Sequence, residues 1–191
     1  MKRGFTLIEL MVALSIFIVV MTISMGSIIS VFDANRKSRS LKAVLNNLNL
    51  AVESMSREIR FGTNYHCDYL DLAVPITDPQ DCTYPSVGNE SISFLSSDGT
   101  QITYKLNHLV GPPLTREIEK RVGAFGNAWI AVTAPEILIN DLTFYVLGAE
   151  NPSDTLQPKV VIIIKGFAGA EGKGKSDFIL QTTVSQRVLD I

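Results

Sequence analysis

The chain has 191 residues, 46% of them hydrophobic, two cysteines and a formal net charge of −2. A helical arm of about 60 residues leaves length for one further domain of ordinary size. The near-neutral balance supplies no global field for nucleic acid or an acidic substrate, and neither an internal repeat nor a low-complexity tract is present.

The first element is apolar. Residues 10–32 form a run of 23 without a charge. As a helix this run is about 35 Å long, enough to cross a hydrocarbon core of about 30 Å. Glu9 stands at its head. A carboxylate at mid-bilayer costs roughly 2.5–3.5 kcal/mol on insertion scales, so its presence points to a function. A cleaved secretory signal needs a shorter apolar region and a small-residue cut site, which Val31-Phe32-Asp33-Ala34-Asn35-Arg36 does not supply. A plain signal anchor explains the length, Lys2 and Arg3, but not Glu9. Charge does not orient the helix either. Asp33, Arg36, Lys37, Arg39 and Lys42 sum to +3 on the distal flank (four bases less one acid), against Lys2, Arg3 and the amino terminus on the near side.

Lys2-Arg3-Gly4-Phe5-Thr6-Leu7-Ile8-Glu9-Leu10 resembles the class III signal of type IV pilins and type II secretion pseudopilins. The family has a short basic leader, a Gly at the cut, an aromatic first mature residue and a Glu five residues into the mature chain. The resemblance implies that a prepilin peptidase cuts after Gly4 on the cytoplasmic side and methylates the amine of Phe5. The rest of the chain is then outside the cytoplasm, behind a single pass through the inner membrane. A residue without Cβ at the cut lets a protease approach the backbone closely. The resemblance also implies that Glu9 of an incoming subunit pairs with a neighbour's Phe5 amine, so that two charges leave water together. A carboxylate that merely snorkels to the headgroups leaves the spacing from Gly4-Phe5 unexplained.

Ser24, Gly26, Ser27 and Ser30 give the apolar helix a small-residue face suited to close helix packing. Gly26 stands where many major pilins carry Pro, a departure more at home in minor pilins and pseudopilins, and it weakens the helix locally. Beyond Phe32, Leu41, Leu45, Leu48, Val52, Met55 and Ile59 recur at spacings of four, three, four, three and four, the seam of an amphipathic helix. Glu53 and Arg57 are placed for i,i+4 pairing, and Gly62 with Asn64 is a good C-cap. One helix over residues 6–61 is the simplest reading, with a free coiled coil as the alternative for the seam.

Residues 63–88 read as a loop, with Pro75, Pro79, Pro85, Asp68, Asp71, Asp78, Asp81 and both cysteines. Outside the cytoplasm a Cys67–Cys82 disulfide leads. Zinc on His66, Cys67, Cys82 and His108 matches no recognised spacing, and the aspartates do not form an EF-hand loop for calcium. From Ser91 the pattern is β. Residues 92–95 and 101–106 flank Asp98-Gly99, a strong hairpin signal. Gly111-Pro112-Pro113 punctuates, and residues 115–122 suggest an exposed strand. A short run follows over 129–132, ended by Pro135. Residues 142–146 alternate, 160–164 are continuous and β-branched as in a central strand, and 178–188 close the chain. The fold class is α+β: a long N-terminal helix packed on five to seven antiparallel strands. The organisation divides into a leader over 1–4, a membrane or filament-core half-helix over 5–32, an amphipathic half-helix over 33–62 and a β-rich head over 63–191.

Catalytic signals are missing from the sequence. Neither histidine sits in a nucleophile or H-E-x-x-H motif. Gly169, Gly174, Lys175 and Ser176 echo a phosphate loop, but no helix is expected after them. No basic groove is evident beside Trp129 for base stacking. The reading is a non-enzymatic subunit without cofactor or metal. Ser56-Arg57-Glu58-Ile59-Arg60 and the β-rich head look most similar to the J-type pseudopilin and its minor-pilin counterpart, which implies a place at a filament tip. The implied partners are the prepilin peptidase, other pilins or pseudopilins, the inner-membrane assembly platform and membrane lipid. A stationary anchored domain that binds an extracellular ligand, or DNA in a competence role, is the alternative.

Overall fold

The computed structural model describes residues 4, 6–67, 76–82, 89–107, 116–123, 126–134, 137–150, 156–168 and 176–187. The chain divides into two compact units, Met1–Ser40 and Leu41–Ile191. The first is helical. The α-helix α1, Leu7–Arg60, begins there and continues through Gly26 without a break. Its apolar side chains from Leu7 to Phe32 are exposed, as expected of a segment that meets lipid or other helices rather than its own core. Among the described residues it is the one helix long and apolar enough to cross a membrane.

The second unit is α+β. The last turns of α1 bury Val44, Leu48, Ala51, Val52, Met55 and Ile59. Leu48, Val52, Met55 and Ile59 belong to the expected seam, whereas Leu41 and Leu45 are only half-buried and Val44 faces the core beside them. The helix ends where Gly62 N–H donates to the Ile59 carbonyl at 3.0 Å. The left-handed residue that turns the chain is Asn64, with φ 53°. Gly62 has a different reason to be small, because a Cβ there lies 2.5 Å from Phe94 Cδ2.

Two antiparallel sheets complete the unit. The first has the order β1-β2-β3-β4-β5, from Thr63–Cys67, Ser91–Leu95, Gln101–Leu106, Ile118–Val122 and Ile130–Ala131. The second has the order β6-β7-β8, from Ile137–Leu147, Lys159–Ala168 and Ser176–Ser185. The β2–β3 hairpin turns as expected at Asp98-Gly99, with Gly99 at φ 80° and Ser96 N–H donating to Thr100 O at 2.9 Å. Strand β7 is central to its sheet and buries Val160, Ile162 and Ile164. Alternate residues of both sheets, among them Ile92, Phe94, Tyr104, Ile118, Leu142 and Phe144, join the helix residues in one core.

Three expectations need correction. Residues 63–67 are not loop. They form β1, which pairs with β2 and buries Tyr65 and Cys67. The strand expected to be exposed, β4, lies between β3 and β5 and buries Ile118 and Arg121. The described residues contain eight strands, more than the five to seven expected. The extra length of β6 has a definite cause. Ile137 and Ile139 are buried at odd positions, and Leu142, Phe144 and Val146 at even ones. A register shift between Ile139 and Asp141 lets both sets face one core.

Candidate processing and assembly site

The N-terminal site is built on the first turn of α1. Thr6 is the N-cap and Glu9 the third helical residue, the T-x-x-E spacing of a capping box. Glu9 N–H donates to Thr6 Oγ1 at 3.3 Å. In return Glu9 Oε2 accepts from Thr6 N–H at 3.0 Å and from Thr6 Oγ1 at 2.8 Å. Two backbone donors that the helix start leaves unpaired are thereby satisfied. Glu9 therefore has a structural task within its own chain, for which the Thr6-Leu7-Ile8-Glu9 spacing is the signal, absent from the sequence reading above. Both bonds end on Oε2, and among the described residues Oε1 accepts none. A carboxylate held in this way faces the start of its own helix with one oxygen uncommitted.

Gly4 lies two residues ahead of the cap, and a Cβ built on it meets nothing within 4 Å. Its small size is therefore not demanded by packing against the described residues. Phe5 lies outside the described residues, as do His108, residues 111–113, most of the acidic segment with Asp68 and Asp71, and residues 169–175. Gly26 and its neighbours Phe17, Ile18, Met21, Thr22, Met25 and Ile29 line a shallow apolar groove along the helix. Thr22 Oγ1 donates to the Ile18 carbonyl at 2.8 Å, so the hydroxyl is satisfied within the helix.

Cys67 and Cys82 are joined by a disulfide, with Cα atoms 6.0 Å apart. It ties the end of β1 to a segment whose Cys82 N–H donates to the Val146 carbonyl at 2.9 Å, on β6. Next to it, Asp81 accepts from Gly148 N–H at 2.9 Å and Ala149 N–H at 2.6 Å. This links the first sheet to the second. Among the described residues no group of three His, Cys, Asp or Glu side chains is gathered for a metal, and His66 places Nδ1 against the Cys67 carbonyl.

Two charged clusters mark the head. Glu58, in the last turn of α1, accepts from Tyr104 Oη at 2.7 Å and from Lys120 Nζ at 2.6 Å. Burial, then the hydrogen bond to Glu58 and its negative charge, push the Tyr104 hydroxyl far above the usual phenol range. On the opposite face of the sheet, Lys105 Nζ lies 3.9 Å and Arg121 Cζ 4.6 Å from the Trp129 ring centre. Cations do stand beside Trp129, but they occupy the ring rather than lining a groove beside it.

Residues 1–25 match the family model described as the prokaryotic N-terminal methylation motif. Over these residues the chain is similar to the class III signals of type IV pilins and pseudopilins. No curated protein and no solved structure matches the chain. The motif supports a pilin or pseudopilin that is processed by a prepilin peptidase and assembles with other pilins. Together with the apolar helix it fits a single-pass inner-membrane anchor, with the C-terminal domain outside the cytoplasm.

Proposed function

We propose that the protein is a non-enzymatic minor pilin or pseudopilin of the J type, positioned in a complex at the filament tip. Residues 1–4 are the leader. The peptidase cuts after Gly4 and methylates Phe5. Residues 5–32 form the membrane and then filament-core half of the helix, 33–62 its amphipathic half, and 63–191 the head. The observation that carries this reading is the methylation motif over residues 1–25. The capping box adds a mechanism. Thr6 holds Glu9 Oε2 against the helix start, leaving Oε1 for the Phe5 amine of a neighbouring subunit. Pairing removes an ionised carboxylate from a medium that penalises it, so docking is favoured only where an amine is within reach. The inner-membrane assembly platform is the remaining partner of this step. The J-type assignment rests on Ser56-Arg57-Glu58-Ile59-Arg60, whose Glu58 bonds the head as described.

Mass analysis of the chain from the native envelope tests the processing step. The expected species begins at Phe5 with one added methyl group, and Gly4→Val leaves residues 1–4 attached in a chain whose head folds normally. A native chain that retains Met1 to Gly4 overturns the proposal. Recovery in sheared filaments or secreted particles, rather than in membranes alone, separates a filament subunit from a stationary anchored binding domain.

A further inference from the structure

The apolar run ends at Phe32, and three bases follow within two turns of the same helix: Arg36, Lys37 and Arg39. All three are exposed, and among the described residues none is engaged in an ion pair. Phe32, Asp33, Asn35, Arg36 and Arg39 line a groove of about 460 Å³ on the helix surface. Its floor is mixed in character. The Phe32 ring is 68% exposed, while Arg39 is oriented by a bond from its Nε to Asn35 Oδ1 at 3.2 Å. That bond uses one of the five N–H donors of the guanidinium.

The level of this groove follows from helix geometry. Arg36 to Arg39 lie about 6–10 Å along the axis beyond Phe32, at 1.5 Å per residue. The headgroup layer on each side of the hydrocarbon core is about 5–8 Å thick. A helix anchored by its apolar run therefore carries these bases at the phosphates of the far leaflet. An apolar ring at the hydrocarbon edge with guanidinium donors one turn beyond suits a glycerophospholipid, its glycerol region against Phe32 and its phosphate against Arg36 and Arg39. The same placement accounts for a distal flank that positive-inside reasoning leaves unexplained.

We propose that residues 32–39 form a binding site for anionic phospholipid headgroups on the outer face of the inner membrane, with Arg36 and Arg39 holding the phosphate and Lys37 adding attraction. The site fixes the depth of the helix before assembly, and its contacts must be given up when the subunit leaves the bilayer for a filament.

The test uses the full chain carrying Lys2→Gln and Arg3→Gln, so that the near flank contributes no side-chain charge whether or not the leader is removed. It is reconstituted in phosphatidylcholine bilayers containing a minor fraction of phosphatidylglycerol. Spin-labelled lipids of the two types report which is enriched at the protein boundary. Phosphatidylglycerol is expected to be preferred several-fold at low salt, and less at high salt. Replacing Arg36, Lys37 and Arg39 together by Gln is expected to bring the ratio close to one, so that the whole several-fold preference is lost. Arg36→Lys with Arg39→Lys is expected to keep most of the preference, and near-UV circular dichroism shows that the head is unaltered. A parent without preference overturns the proposal, and so does a triple variant that retains it. A parent that retards DNA through these bases while ignoring lipid charge also overturns it.

Discussion

Glu58 is the residue through which the end of α1 grips the first sheet. Its replacement by Ala is expected to lower the unfolding free energy by about 2–3 kcal/mol. Tyr104 is fully buried, and its hydroxyl loses the acceptor at 2.7 Å. A buried hydroxyl left without a partner costs about 1–3 kcal/mol. Lys120 loses a partner at 2.6 Å, but side chains that are 22% and 28% exposed are screened, so that loss is at most about 1 kcal/mol. Glu58→Gln keeps an acceptor for Tyr104 and is expected to cost only about 1 kcal/mol. Guanidinium unfolding of the full chain in mild detergent, followed by Trp129 fluorescence, measures both, with the denaturant slope unchanged. A double-mutant cycle with Tyr104→Phe is expected to show a coupling of about 1 kcal/mol. The alkaline limb provides an independent check. The folded Tyr104 has a raised pKa, so its contribution is present below the ordinary value of 10.0 and is lost as pH rises beyond it. The reasoning fails if Glu58→Ala is within about 0.5 kcal/mol of the parent, or if the coupling to Tyr104 is below about 0.3 kcal/mol.

Other substitutions probe the joints of the head. Gly62→Ala places a methyl 2.5 Å from Phe94 Cδ2, in a ring held between Tyr65 and Tyr104. A loss of about 1–3 kcal/mol is expected in thermal unfolding. Replacing Cys67 and Cys82 by Ser opens a loop with a sequence separation of 15 and is expected to cost about 3 kcal/mol in the chain-entropy account; reductant then has no further effect on that variant. Asp98 Oδ1 accepts the Thr100 N–H at 2.9 Å, a bond that holds its carboxyl below the usual range. Its stabilisation is present above the ordinary carboxylate pKa and is lost as pH falls through the depressed one. Asp98→Ala should therefore flatten the acid side of a melting-temperature profile, and an unchanged profile refutes the assignment.

Much of this was legible in the sequence because the signals were periodic. The unbroken apolar and then amphipathic spacing placed α1 to within a residue at each end, and Asp98-Gly99 fixed the β2–β3 turn. What was missed lay where one signal masked another. Pro, Asp and Cys density around residues 63–88 hid the period-two burial of Tyr65 and Cys67 in β1. The bulge near Asn140 broke the alternation of β6 into two short phases, of which only residues 142–146 read as a strand. Charges at Glu119, Lys120 and Arg121 suggested solvent, because sequence cannot show that Lys120 meets Glu58 or that Arg121 covers Trp129. The capping box was missed for a different reason. From the sequence, Glu9 reads as a charge in lipid and as the partner of a neighbour's amine, whereas its partner within the chain stands three residues before it.

Near the end of the chain, Arg187 N–H donates to the Arg60 carbonyl at 2.8 Å, and its guanidinium stacks over the Phe61 ring with Cζ 5.4 Å from the centre. The exit of the long helix is thus fastened by a residue that follows all eight described strands. During export, α1 can enter the bilayer early, while its buried stripe from Val44 to Ile59 waits for strands that arrive in succession. The final fastening forms only when β8 has crossed the membrane. A chain whose β8 has not yet crossed therefore has a helix already inserted but an exit still open at the root of the head.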